Sequence, residues 1–312
     1  VPNVESQSKA ISDQAFQLAN KFVTEFRARG LNIRRDVESV NDLLDGLYEA
    51  LAGRQVQGEL GAIVNGFIHA NRFLAAEYRR VGGHLPERMG WFPNPLHSRN
   101  KVGWAAGGDV PNPRRWHQKW RRRAPTVQDM NVWMDTTRPL LDRTLMVNFE
   151  TNLPLTDIEL DAVLKTVWET LSTGGASKIE PGTGGHGGGM LANARREPRI
   201  LHFRDAESWK LYNEAFGEGD IVQSITRHIE SMSRDIALMR IFGPNPDHTM
   251  RILLDTARKE GIGDVKLRHI EQQYRIVARQ VGTGSEMIAN LGQATRNLLV
   301  ANQLGSASLT AL

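Results

Sequence analysis

The residues of this chain best equipped for chemistry are Arg114, Arg115, Lys119, Arg121, Arg122 and Arg123. They place six fixed positive charges in ten residues with no acid among them, and Trp116 and Trp120 lie between. Guanidinium groups grip phosphate oxygens in a two-pronged fork, and indole faces stack on bases or on neighbouring guanidinium planes. The chemistry on offer is polyanion binding, and double-stranded DNA held by its backbone, without base reading, is the partner such a run fits. A plainer reading also holds: Trp116 and Trp120 stand four apart, so on a helix they would be buried together and leave the charges as a solvated opposite face. An acidic protein surface is a third partner of the right charge. A second basic cluster, Arg195, Arg196, Arg199 and Arg204, is interrupted by Glu197 and followed by Asp205, which weakens it.

The arrangements that catalysis needs are each incomplete. There is no H-E-x-x-H pair, no G-x-S-x-G elbow and no cysteine, so no catalytic, metal-binding or cofactor-binding residue is assigned. Asp157, Glu159 and Asp161 sit close together, but in the first turn of a helix they offset its macrodipole and need no other duty. Asp42 and Asp45 read as an exposed helix face, and His228, beside apolar neighbours, reads as a core histidine. Gly182, Gly184 and Gly187 match the dinucleotide pattern G-x-G-x-x-G, yet no apolar strand precedes them and no helix opens after them. The glycine-rich stretch 174–189 is read as a hinge or lid, and its His186 alone makes no metal site.

Helices must position whatever these residues do. Ile11, Ala15, Leu18, Phe22 and Phe26 predict a helix from Glu5 to Arg29. Val37, Val40, Leu44, Leu47 and Leu51 predict a second over 36–52, and Leu60, Ile63, Phe67, Leu74 and Tyr78 a third over 58–81. Residues 1–81 are therefore expected to be a helical bundle. Residues 82–125 read as a Gly/Pro-rich, aromatic and basic connector, in which Trp91, Phe92 and Trp104 should dock on a surface. Residues 126–312 read as a helical region: broken helices around Pro139, then a helix from Asp157 to Leu171 behind the Thr156/Glu159 capping box, then the glycine-rich loop 174–189. Further helices follow over 247–260, 265–281 and 285–304, the last amphipathic and suited to intrachain packing or to a like helix of another subunit.

The fold class is all-α. No run of 18 apolar residues crosses a membrane, and the absence of cysteine leaves folding to packing alone. The net charge of +4 is too diluted over 312 residues to identify a partner, so the location of the charge carries more weight. The start at Val1 and the small-residue tail 305–312 are expected of a processed product or a piece of a longer polypeptide.

The best-punctuated block spans 202–246. Asp205 can cap a short helix that breaks at Gly217 and Gly219. Ile221, Ile225, Ile229, Met232, Ile236 and Met239 then mark one face of a long helix, which Gly243-Pro244 stops. This block also carries a resemblance. The runs Leu201 to Trp209, Tyr212 to Gly219, His228 to Met232, Arg234 to Met239 and Phe242 to Pro246 resemble the large internal virion proteins of tailed phages and prophages. Shorter islands at 85–87, 92–97, 153–160, 170–175 and 304–307 extend it. The resemblance implies a structural, ejection-type protein of the phage particle that forms a homo-oligomer. It implies portal, tail or companion ejection proteins as partners, and a location inside the virion and then at the host cell envelope after ejection. It implies no reaction. A scaffold without a nucleic-acid role, or a cell-wall hydrolase with its site spread over helices, are the alternatives the residues leave open.

Overall fold

The computed structural model describes residues 2–19, 37–85, 95–107, 124–148, 151, 153–173, 191 and 201–278. Its regular elements are helical: α1 (Pro2–Leu18), α2 (Val37–Leu51), α3 (Gly58–Arg80), α4 (Arg99–Gly103), α5 (Val127–Thr137), a 3-10 turn (Arg138–Leu140), α6 (Asp157–Thr173), α7 (Ala206–Phe216), α8 (Ile221–Phe242), α9 (Pro246–Lys259) and α10 (Asp264–Val277). Among the described residues, extended pairing is limited to the isolated bridges His97–Gly217, Leu141–Phe203 and Val147–Pro154. The chain is all-α, as its periodicity predicts. It divides into two compact units, the larger running from Pro2 to Thr249 and the smaller beginning at Met250.

In the larger unit α8 is the central helix. Asp220 starts it by accepting from the Gln223 amide at 2.9 Å, and Gly243, at φ +80°, ends it where a side chain would be strained. Ile221, Ile225, Ile229, Met232, Ile236 and Met239 are all buried on it. Its most extensive neighbour is α1, which also packs on α3. Small residues make that approach close: Ala15 and Ala19 are fully buried, and a Cβ on Gly66 would lie 3.3 Å from the Leu18 carbonyl oxygen. Residues of the first 81 positions thus share a core with the 202–246 block. Described helix α1 ends at Leu18, and 20–36, which carry Phe22 and Phe26, lie outside the described residues.

The second cluster of packing joins α4, α5, α6 and α7. Within the connector, read from sequence as loop, Ser98 caps the one-turn helix α4. Glycine and proline around it hide so short a helix from any periodicity test. The 3-10 turn holds Pro139 at an early position, where its missing N–H is no loss. Beyond it the expected broken helix gives way to a short hairpin, in which Asn148 donates to the Leu153 carbonyl at 2.8 Å and Leu155 to the Met146 carbonyl at 2.9 Å.

In the smaller unit, Leu267, Tyr274 and Val277 of α10 and Met250 of α9 are buried, while Ile252, Leu253, Val265, Ile270 and Ile276 are exposed. The helix predicted over 285–304 lies outside the described residues.

Candidate nucleic-acid interface

Arg114, Arg115, Lys119, Arg121, Arg122 and Arg123 lie outside the described residues, and so do Trp116 and Trp120. What is described is the chain on either side of this run, up to Gly107 and again from Ala124. Both sides meet one carboxylate. Oδ1 of Asp129 accepts from the Ala106 backbone N–H at 3.2 Å, and Oδ2 accepts from the Thr126 N–H at 2.8 Å and the Thr126 hydroxyl at 2.7 Å. Asp129 is fully buried, so the cost of removing a carboxylate from water is offset by these donors. The Thr126 hydroxyl in turn accepts from the Asp129 N–H, completing a capping box at the start of α5.

Neighbouring contacts hold the same corner. A Cβ on Gly103 would stand 3.4 Å from Cγ of Pro125 and 3.6 Å from Cβ of Ser172, ordinary contact distances, so α4, the entry to α5 and the end of α6 meet at this glycine. Arg99 Nε donates to the Ser172 carbonyl at 3.0 Å, and the Trp168 indole N–H donates to the Val102 carbonyl at 3.0 Å. The helix α6 therefore ends, at Thr173, beside α4. The glycine-rich residues 174–189, with Gly182, Gly184, His186 and Gly187, are outside the described part, as are Arg195, Arg196 and Arg199. Arg204 is exposed, and its N–H donates to the Leu140 carbonyl at 3.0 Å.

The other singled-out residues have structural partners. Glu159 accepts from the Thr156 amide and hydroxyl at 2.8 and 2.7 Å and from Asn148 Nδ2 at 2.9 Å. The Thr156 backbone and hydroxyl, then Asn148, hold its carboxyl below the ordinary glutamate range. Asp157 pairs with Arg143 at 2.6 Å, Asp161 pairs with Arg138, and Asp45 receives Lys210 at 3.4 Å. His228 is buried, and its Nε2–H donates to Asn71 Oδ1 at 3.1 Å, tying α8 to α3.

A buried aromatic node was not legible in the sequence. Tyr212, with no exposed surface, touches His97, Trp133, Phe203 and Phe216. Its hydroxyl accepts from the Trp133 indole N–H at 3.3 Å and lies 3.0 Å from His97 Nδ1. Burial raises the phenol well above its ordinary range, against a smaller opposing effect of the Trp133 bond, so this group is a fixed neutral hydroxyl. Tyr48 is raised likewise, by burial first and by the Asp205 charge second.

Among the described residues no group of three or more His, Asp or Glu is arranged to hold a metal ion. Comparison with family models, with curated proteins and with solved structures finds no match for this chain.

Proposed function

We propose that this chain is a structural internal virion protein of the ejection type from a tailed phage, assembling as a homo-oligomer and contacting genomic DNA non-specifically during packaging or ejection. The observation that carries the reading is the acid-free run Arg114 to Arg123, with six positive charges and two tryptophans. Arg114, Arg115, Lys119, Arg121, Arg122 and Arg123 neutralise backbone phosphates and release condensed counterions, a contact indifferent to base sequence. The indole faces of Trp116 and Trp120 are of the kind on which bases or guanidinium planes stack. The modest overall charge of +4 suits a protein that DNA must slide past, because a densely basic wall would retain it. The resemblance of the 202–246 block to internal virion proteins supports the location in the particle interior, the later place at the host cell envelope, and portal, tail or companion ejection proteins as partners.

The test is the mass of the purified chain by light scattering at low and high salt, with and without a short random-sequence duplex. A homo-oligomer that takes up duplex at low salt and releases it at high salt is expected. A monomer indifferent to the duplex under both conditions overturns the reading.

A further inference from the structure

We propose that the outward face of α3 is a docking surface for an acidic helical segment of a partner protein. The inference stands apart from the DNA contact above and uses none of its residues. From Gly61 to Arg80 the exposed positions are Asn65, His69, Arg72, Ala76, Arg79 and Arg80. The only acid in that stretch is Glu77. Its side chain is 17% exposed and is taken by Arg80 at 2.8 Å and by Arg240 of α8. The face that α3 turns to solvent therefore carries three guanidinium groups and no exposed carboxylate.

Spacing makes this face a row. Asn65, His69, Arg72, Ala76 and Arg79 follow one another by four, three, four and three residues, the spacing at which one helix meets another along its length. Arg72 and Arg79 stand one heptad apart, about 10.5 Å along the axis, so acids one heptad apart on a second helix come opposite both. Ala76 lies between them, and its small side chain lets a second backbone come close. The inner side fixes the presentation. Val64, Phe67, Leu74 and Tyr78 are buried, and Asn71 and Glu77 tie α3 to His228 and Arg240 of α8.

Charge decides the occupant. A second copy laid symmetrically on this face brings arginine against arginine. A lipid surface takes up a helix through its apolar residues, and among the described residues none of the large exposed apolar side chains lies on α3. Duplex DNA held by its backbone uses on the order of six or more phosphate contacts, more than three arginines supply. Carboxylates in a helical row match the number, the sign and the spacing. Glu77 shows the pairing at the end of the row, where two guanidinium groups converge on one carboxylate. Without an apolar centre the contact is polar and reversible, and salt weakens it.

The test uses the full chain and two helical peptides, one with glutamates at heptad spacing on one face and one with glutamines in their place. Because the chain has no cysteine, a fluorophore on Asn65→Cys, at the end of the row, reports docking at this face. At low salt the glutamate peptide should bind about tenfold more tightly than the glutamine peptide, as a few exposed ion pairs allow, and the preference should vanish at high salt. Arg72→Gln, Arg79→Gln and Arg80→Gln together should remove the preference, whereas lysine at the same three positions should keep most of it. Circular dichroism checks folding. Should the glutamine triple variant fail to fold, Arg72→Glu alone, clear of the Glu77 ion pairs, should abolish the preference.

Equal response to the two peptides in the labelled parent overturns the inference, and so does a preference that survives in a folded glutamine variant. A glutamine variant whose duplex binding depends less on salt than that of the parent assigns the face to nucleic acid and overturns it too. One whose mass by light scattering falls assigns the face to a second copy, with the same consequence.

Discussion

Nδ1 of His97 lies 3.0 Å from the hydroxyl of Tyr212, inside the cluster that joins the connector to α7. The indole N–H of Trp133 can only donate, so the phenol oxygen accepts there, and its remaining capacity faces His97 Nδ1. The backbone reinforces the contact: the Ser98 N–H donates to the Phe216 carbonyl at 2.8 Å, and His97 bridges Gly217. One hydroxyl thus ties α7 to two other segments, those of His97 and Trp133.

Tyr212→Phe keeps the ring and removes that hydroxyl. It leaves the Trp133 N–H and His97 Nδ1 facing an apolar edge, and should cost about 1–3 kcal/mol of stability. Urea unfolding followed by tryptophan fluorescence measures it, with the midpoint moving down and the slope unchanged.

Asp205 caps α7 by accepting from the Ser208 N–H at 2.7 Å. The Ser208 backbone bond, followed by its side chain, holds the carboxyl below the ordinary aspartate range against a partial burial effect, and Arg204 adds to the lowering. A lowered folded value means that the unfolded chain takes up the proton first on acidification. The cap therefore contributes fully above pH ~4, the ordinary aspartate value, and its contribution is lost as pH falls through the folded value. Asp205→Asn keeps an acceptor without the charge, so its stability relative to the parent should improve as pH is taken from about 6 to about 3. Thermal melts at the two pH values read the difference.

Gly83 sits against the buried ring of Tyr78. A Cβ there would overlap Cδ1 and Cε1 of that ring, and Tyr78 is fixed by its hydroxyl donating to the Leu191 carbonyl at 2.7 Å. Gly83→Ala should destabilise the larger unit by about 1–3 kcal/mol through forced repacking. Differential scanning calorimetry checks it, and an unchanged melting temperature would refute the assigned packing.

Local signals in the sequence translated well into structure, and long-range ones did not. Thr156 with Glu159, Asp205 with Ser208 and the Ile221–Met239 stripe each lie within one helix, where 3.6-residue spacing and capping chemistry act on neighbours in sequence. Thr126 and Asp129 form the same box at the same spacing, but the short aspartate at the third position and the basic run before it mask the helix start. The bond from Ala106 to Asp129 has no sequence signature at all, because an amide carries no side-chain identity. The same holds for the pairing of α1 with α8. Periodicity says that Val4, Ile11 and Ala15 seek cover, and it cannot name the partner. The aromatic node escaped for a related reason: His97, Trp133 and the pair Phe203 and Tyr212 come from three separate stretches, and each alone looks like an ordinary core or loop residue.

The most direct measurement is duplex affinity of the full chain as a function of salt, for the parent and for a variant with alanine at Arg114, Arg115, Lys119, Arg121, Arg122 and Arg123. If all six charges meet phosphates, log affinity against log salt should fall with a slope of about −5, the same for unrelated sequences. In the variant both the affinity and the slope should collapse. A parent whose binding is absent or insensitive to salt, or a variant that binds as the parent does, would contradict DNA contact through this run.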